Sequence, residues 1–178
     1  MMLGVTPLYQ PYWCEENIWQ LAQSPDVVGD ERLVLVITGV QGVACWHQKA
    51  GDEGQPVLWD YHVVLATHDP RARWQLWDLD GRLGYPVPAE TWLRTTFPFP
   101  ETVPARFQPR FAVIPAADYV QKLGSDRAHM RDARGGWLKP PPPWPAPAGQ
   151  GLTLPQAIQQ AREGLDLTGL QARLREPS

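Results

Sequence analysis

Cys14 opens the run CEENIWQLAQ, and its position carries the first hint of chemistry. Cys14, Ile18, Leu21 and Ala22 recur at the spacing of one helical face, which predicts a helix over 14–23, stopped by Ser24-Pro25. Glu15 and Glu16 fall in its first turn, where acidic side chains complement the helix dipole. A thiol at a helix N-terminus is expected to ionise more easily and so to serve as a nucleophile. Cys45, inside VACWH, reads instead as a small buried hydrophobe on a strand. His47 shares that strand face but has no third group to work with.

A reactive thiolate needs an imidazole to shuttle its proton and a group to hold the imidazole. VLWDYHVVL (57–65) reads as a strand, yet it carries Asp60 and His62 two residues apart, on one face of an extended chain. RWQLWDLD (73–80) follows as the second arm of a hairpin turned at Asp69-Pro70. A loop made of 69–71 sets His62 opposite Asp78. A five-residue loop sets it opposite Asp80, with Asp78 diagonal, and a four-residue loop sends it to the wrong face. Cross-strand partners lie about 5 Å apart at Cβ and diagonal ones about 7–8 Å, so spacing alone leaves both carboxylates open.

The remaining histidines carry less. His68 sits at the turn, and His129, in SDRAHM, reads as a hydrogen-bonded structural residue. Cys and His are too scattered for a zinc site, and no metal is expected. The phosphate loops GxxxxGK[ST] and GxGxxG and the nucleophile elbow GxSxG are absent from the sequence.

Behind these residues, Arg32–Lys49 reads as two strand runs forming a hairpin, and 57–80 as a second hairpin. The stretch 81–109, crowded with Pro and aromatics, shows no regular element. RFAVIPA is a short strand, AADYVQK a short helix ending near Gly124, and KPPPPWPAP an extended strap. TLPQAIQQAREG is an amphipathic helix capped by Thr153. An early helix followed by mainly antiparallel strands predicts an α+β fold.

The 178 residues, 43% hydrophobic and 20% charged, suit one globular domain over 1–178. A net charge of −3 offers nucleic acid or an anionic membrane no electrostatic footing. No apolar run is long enough to span a bilayer. The N-terminal segment lacks the pattern of a signal peptide, so two free thiols in the cytoplasm are expected. Nine Trp and twenty Pro point to a site framed by aromatic loops.

CEENIW, WDYHVVL, WDLD, SDRAHM and PPPPWP, in this order, closely resemble the protein N-terminal glutamine amidohydrolases. The likeness runs from about residue 9 to 147, and 148–178 looks divergent. The resemblance implies a papain- or transglutaminase-like fold with a Cys14–His62–Asp78 triad, which would settle the choice between Asp78 and Asp80. It further implies deamidation of an N-terminal Gln in proteins or peptides by a monomer without cofactor, through a thioester. Glu15, Asp60 and Asp126 are then the acidic candidates for the substrate's α-ammonium. The competing readings are a related deamidase, transglutaminase or protease acting on internal residues, and a non-catalytic binding module.

Overall fold

The computed structural model describes residues 4–71 and 73–175. Its elements run α1 (Cys14–Ala22), β1 (Glu31–Thr38), β2 (Val43–Cys45), β3 (Val57–Trp59), β4 (His62–Asp69), β5 (Arg73–Trp77) and β6 (Val87–Pro88). They continue with α2 (Ala89–Thr96), β7 (Arg110–Pro115), α3 (Ala116–Lys122), β8 (Leu123–Gly124), β9 (Leu152–Thr153), α4 (Leu154–Arg162) and α5 (Leu167–Arg175). The α+β expectation holds. No helix among the described residues is long and apolar enough to cross a membrane.

The frame is a five-stranded antiparallel sheet in the order β6-β5-β4-β1-β7. Leu33 to Ile37 of β1 are all buried, an unbroken apolar run that belongs at the centre of a sheet covered on both faces. Alternation divides them. Val34 and Val36 join Ile18, Leu21, Val63, Leu65, Tyr119 and Ala157 on the face covered by α1, α3 and α4. Leu33, Leu35 and Ile37 join Leu76, Trp92, Leu93, Phe111 and Leu170 on the opposite face, under α2 and α5.

Two expectations need correction. β1 does not form a hairpin with β2, because both of its edges are taken by the long strands β4 and β7; β2 pairs with β3 instead. Nor is 57–65 one strand. It breaks at Asp60 and Tyr61, where the Thr38 hydroxyl donates to the Asp60 carbonyl at 2.7 Å, and β3 and β4 belong to different sheets. Asp60 and His62 therefore do not share the face of a continuous strand. His47 also lies beyond β2, with a left-handed φ of 59°.

The β4–β5 hairpin is present, and its pairing runs from Asp69↔Arg73 to Leu65↔Trp77. Ala72, inside the turn, lies outside the described residues. Two helices appear where none was expected. α2 rises from the Pro-rich stretch after Pro88 without a side-chain cap, so it lacked a start signal. α5 carries Leu167, Leu170 and Leu174 at helical spacing, a pattern weakened by Gly169. α4 starts as foreseen, with a capping box between Thr153 and Gln156.

Candidate active site

The register of β4 and β5, carried past Trp77, sets His62 in line with Asp80 and leaves Asp78 on the diagonal. Yet the bond forms with Asp78: His62 Nε2 lies 2.9 Å from its Oδ1. The chain leaves the strand after Trp77 and turns, with the Gly81 N–H on the Asp78 carbonyl at 3.2 Å. That turn swings the Asp78 carboxylate back to the imidazole. Gly81 suits this turn, since a Cβ would come within 3.2–3.3 Å of the Asp78 side chain and press on the carboxylate.

Asp78 is buried and accepts four N–H groups. Oδ1 takes His62 and the Asp80 backbone at 3.1 Å; Oδ2 takes Gln48 Nε2 and Trp92 Nε1, each at 3.0 Å. Burial would push this carboxyl up, but the His62 charge and the hydrogen bonds from His62, Trp92 and Gln48 outweigh it and hold the pKa at about 2. An ionised carboxylate only accepts, so Nε2 carries the proton and Nδ1 is left free for the cavity. Trp59 stacks on the ring at 5.7 Å and 11° and donates to Gln48 at 3.2 Å, so Gln48 links the two walls of the pair.

Cys14 and His62 line one cavity of about 360 Å³, together with Tyr12, Leu58, Trp59, Asp60, Tyr61, Asp80, His129, Met130, Leu138 and Lys139. The thiol heads α1, as expected, but its ionisation runs opposite to expectation. Burial first, then the charges of Glu15 and Asp80, push the Cys14 pKa well above 9; backbone hydrogen bonds from Val63 and Glu15 oppose them and lose. Burial likewise pulls His62 down, but Asp78 and then Asp80 push it above its ordinary 6.5. Both partners therefore hold their protons more tightly than free groups would, and the competent pair is the thiol beside an imidazole whose Nδ1 is unprotonated.

Glu15, Glu16 and Asn17 are completely buried, and each has one task. The Glu15 carboxylate lies behind the cavity wall, bonded to Tyr61 Oη at 2.8 Å and His129 Nε2 at 3.0 Å, with the Cys14 sulfur 3.8 Å away. Glu16 receives Arg127 at 2.7 and 2.9 Å on its two oxygens, and Trp144 Nε1 at 3.1 Å. Asn17 closes a two-way pair with the Gln10 backbone, at 2.8 Å each way. The Pro140 carbonyl accepts Trp13 Nε1 at 2.9 Å, so the proline strap is bound to the start of α1 and brings Leu138 and Lys139 to the rim.

The acidic candidates thus separate. Asp60 is exposed and lines the cavity. Glu15 is adjacent but covered. Asp126 is exposed, caps its own turn by accepting the Ala128 N–H at 2.9 Å, and does not line the cavity. Arg127, its sequence neighbour, turns to Glu16 instead. Cys45 is fully buried on the far face, beneath β1 and α2. Sequence reasoning passed over Gln48, Trp92, Tyr9 and Tyr61; only Tyr61, beside His62, stood in a motif already singled out.

His62, Asp78 and Asp80 bring donor atoms within 4.8 Å of one another, a spacing that could hold a cation. The hydrogen bonding argues otherwise. Asp78 has no free lone pair: a cation on Oδ1 would strand the His62 and Asp80 N–H groups, and one on Oδ2 those of Trp92 and Gln48. A larger hollow of about 430 Å³ between β7 and α4 contains neither thiol nor imidazole.

Comparison with known proteins converges on one family. The model of a family described as N-terminal glutamine amidase matches residues 9–164, through the end of α4 and past the last shared motif. The chain is 35% identical over 143 residues to the bovine protein N-terminal glutamine amidohydrolase, covering 78% of this chain and 69% of that protein. The human protein of the same name is 34% identical over 78% of this chain and 70% of its own length. The counterpart from Drosophila pseudoobscura is 36% identical over 77% and 70%.

Proposed function

The chain belongs to the N-terminal glutamine amidase family, and on that footing we propose that it hydrolyses the side-chain amide of an N-terminal Gln, giving N-terminal Glu and ammonia. The observation that carries this reading is the opening of Cys14 and a carboxylate-held His62 into one cavity. Cys14 is the nucleophile, His62 the acid and base, and Asp78 the group that fixes the imidazole. A helix-borne thiol set against an antiparallel sheet is also what a papain- or transglutaminase-like ancestry requires.

His62 Nδ1 takes the thiol proton, and the sulfur attacks the carboxamide carbon. The backbone N–H of Cys14, at the start of α1, is the candidate donor to the forming oxyanion. Nδ1 returns its proton to the nitrogen as the C–N bond breaks, releasing ammonia and leaving a γ-glutamyl thioester. Water then attacks the thioester carbon while His62 takes its proton. The C–S bond breaks, and the product carboxyl and the Cys14–His62 pair are restored. These steps require protein groups and water alone, all from one chain acting as a monomer, and reduced thiols persist in a cytoplasm.

A free terminus is recognised through its α-ammonium, and Asp60, solvent-facing on the cavity rim, is the carboxylate placed to receive it. The test is to follow ammonia release and the mass of a Gln-initiated peptide, its N-acetylated form and an internal-Gln isomer. Only the first is expected to react. Asp60→Asn should raise KM about tenfold with kcat preserved, as loss of one charged contact implies. Turnover of the acetylated or internal substrate would overturn the terminus-specific reading in favour of a general glutamine deamidase or transglutaminase.

The pH profile is a second check. Because Asp78 and Asp80 raise His62, the acid limb of kcat/KM should have its midpoint above pH 6.5. Asp80→Asn removes one of the raising charges and should move that limb to lower pH. The substrate's α-amine, with a pKa of about 7.7–8.0, should set the base limb if its cation is the bound form. A limb unmoved by Asp80→Asn would separate that carboxylate from the imidazole.

A further inference from the structure

We propose that Asp80 is a further catalytic residue: its Oδ2 accepts an N–H of the departing amide nitrogen, orienting that nitrogen's lone pair toward the imidazolium of His62. The inference rests on the deamidation reading above. Asp80 lines the cavity beside both reacting side chains, and it is held from three directions. The Tyr9 hydroxyl donates to Oδ1 at 2.6 Å, the Asp80 N–H lies on Asp78 Oδ1 at 3.1 Å, and the Asp80 carbonyl accepts the Lys49 N–H at 2.8 Å. That leaves Oδ2 turned to the imidazole, 4.0 Å from Nδ1. The gap is too long for a direct hydrogen bond, and it admits a nitrogen within hydrogen-bond reach of both atoms.

The reaction has use for such an acceptor. In the tetrahedral intermediate the nitrogen bears two hydrogens and one lone pair. The C–N bond breaks only once that lone pair has received the Nδ1 proton; the bonding pair leaves with the nitrogen as ammonia, and a lone pair of the oxyanion oxygen re-forms the carbonyl. An N–H fixed on Asp80 stops rotation about C–N and aims the lone pair, and the carboxylate stabilises positive charge growing on the protonated nitrogen. It also repels a carboxylate at the same place, which favours departure of the Glu product. The mechanism otherwise gives Asp80 no purpose, although its charge works against ionisation of Cys14.

Asp80→Asn tests the idea with little change of shape. Tyr9 continues to donate to Oδ1, so the new amide presents NH₂ where Oδ2 stood, and an acceptor becomes a donor. Each enzyme is assayed at its own pH optimum on a Gln-initiated peptide and on the same peptide carrying N-terminal glutamate γ-methyl ester. The ester's leaving oxygen has no N–H to offer. For the amide, kcat/KM should fall roughly 10²-fold, the scale of a lost transition-state hydrogen bond, with the ester little changed. Equal losses on both substrates would overturn the proposal and leave Asp80 a structural role. Tyr9→Phe, which frees Oδ1, should give a smaller loss of the same amide-selective kind, and serves alone if Asp80→Asn does not fold. Failure of the unaltered protein to release ammonia from the Gln peptide would instead overturn the reading on which the proposal stands.

Discussion

Cys14→Ala should abolish ammonia release from a Gln-initiated peptide, lowering kcat by about 10⁵–10⁶-fold, the range seen when a covalent nucleophile is removed from a catalytic unit. The reason is specific to this cavity. No other thiol lines it, and Cys45 lies fully buried on the opposite face of the sheet. Cys14→Ser should be nearly as inactive, because the same burial and the same two carboxylates act against a hydroxyl with a far higher pKa. Thermal melts should show both variants folded, since Cys14 is only partly buried. The free enzyme holds Cys14 as a thiol, so its alkylation by iodoacetamide should be slow at neutral pH and accelerate as pH rises. Residual turnover above about one per cent of the parent rate in Cys14→Ala would remove the thiol from the mechanism.

Asp78→Asn should cost about 10⁴ in kcat, the loss expected when a carboxylate that fixes a catalytic imidazole becomes an amide. One of its two oxygens becomes an NH₂ group facing N–H donors on either side. It meets His62 and the Asp80 backbone, or Gln48 and Trp92. Whichever way the amide turns, two buried donors lose an acceptor, a loss of about 1–3 kcal/mol for each group left unpaired. The melting temperature should fall accordingly, measured by circular dichroism alongside kcat. His62 loses the larger of its two raising charges, so any remaining acid limb should move to lower pH. A variant that kept its activity would transfer the orienting role to Asp80.

Much of this arrangement could be read from the chain. Cys14 announced itself by the helix it begins, and His62 by standing as a polar residue where a strand wants apolar ones. The choice between Asp78 and Asp80 was not legible from hairpin geometry. The strand pairing follows the register that favours Asp80, and the bond to Asp78 depends on the chain turning off the strand at that residue. A turn of one residue's extent lies below what alternation of side chains can report. The ionisation of Cys14 was misjudged for a related reason. The helix-terminus argument is local, whereas burial and the charge of Asp80, 66 positions away in sequence, are products of the fold. α2 went unseen because it lacks a cap and follows a proline, yet its Trp92 supplies a hydrogen bond to Asp78.

The three polar residues after Cys14 have a consequence for anyone wishing to move this chemistry elsewhere. Glu15 reaches Tyr61 and His129, Glu16 reaches Arg127 and Trp144, and Asn17 reaches Gln10, so one helical turn fastens three distant segments and the chain just before it around the thiol. Three side chains grafted onto a foreign scaffold would reproduce a triad on paper and leave its surroundings behind. The smallest portable unit is the turn CEEN together with every segment it fastens. Read as an engineering specification, the portable active site extends from Tyr9 to Trp144, most of the chain.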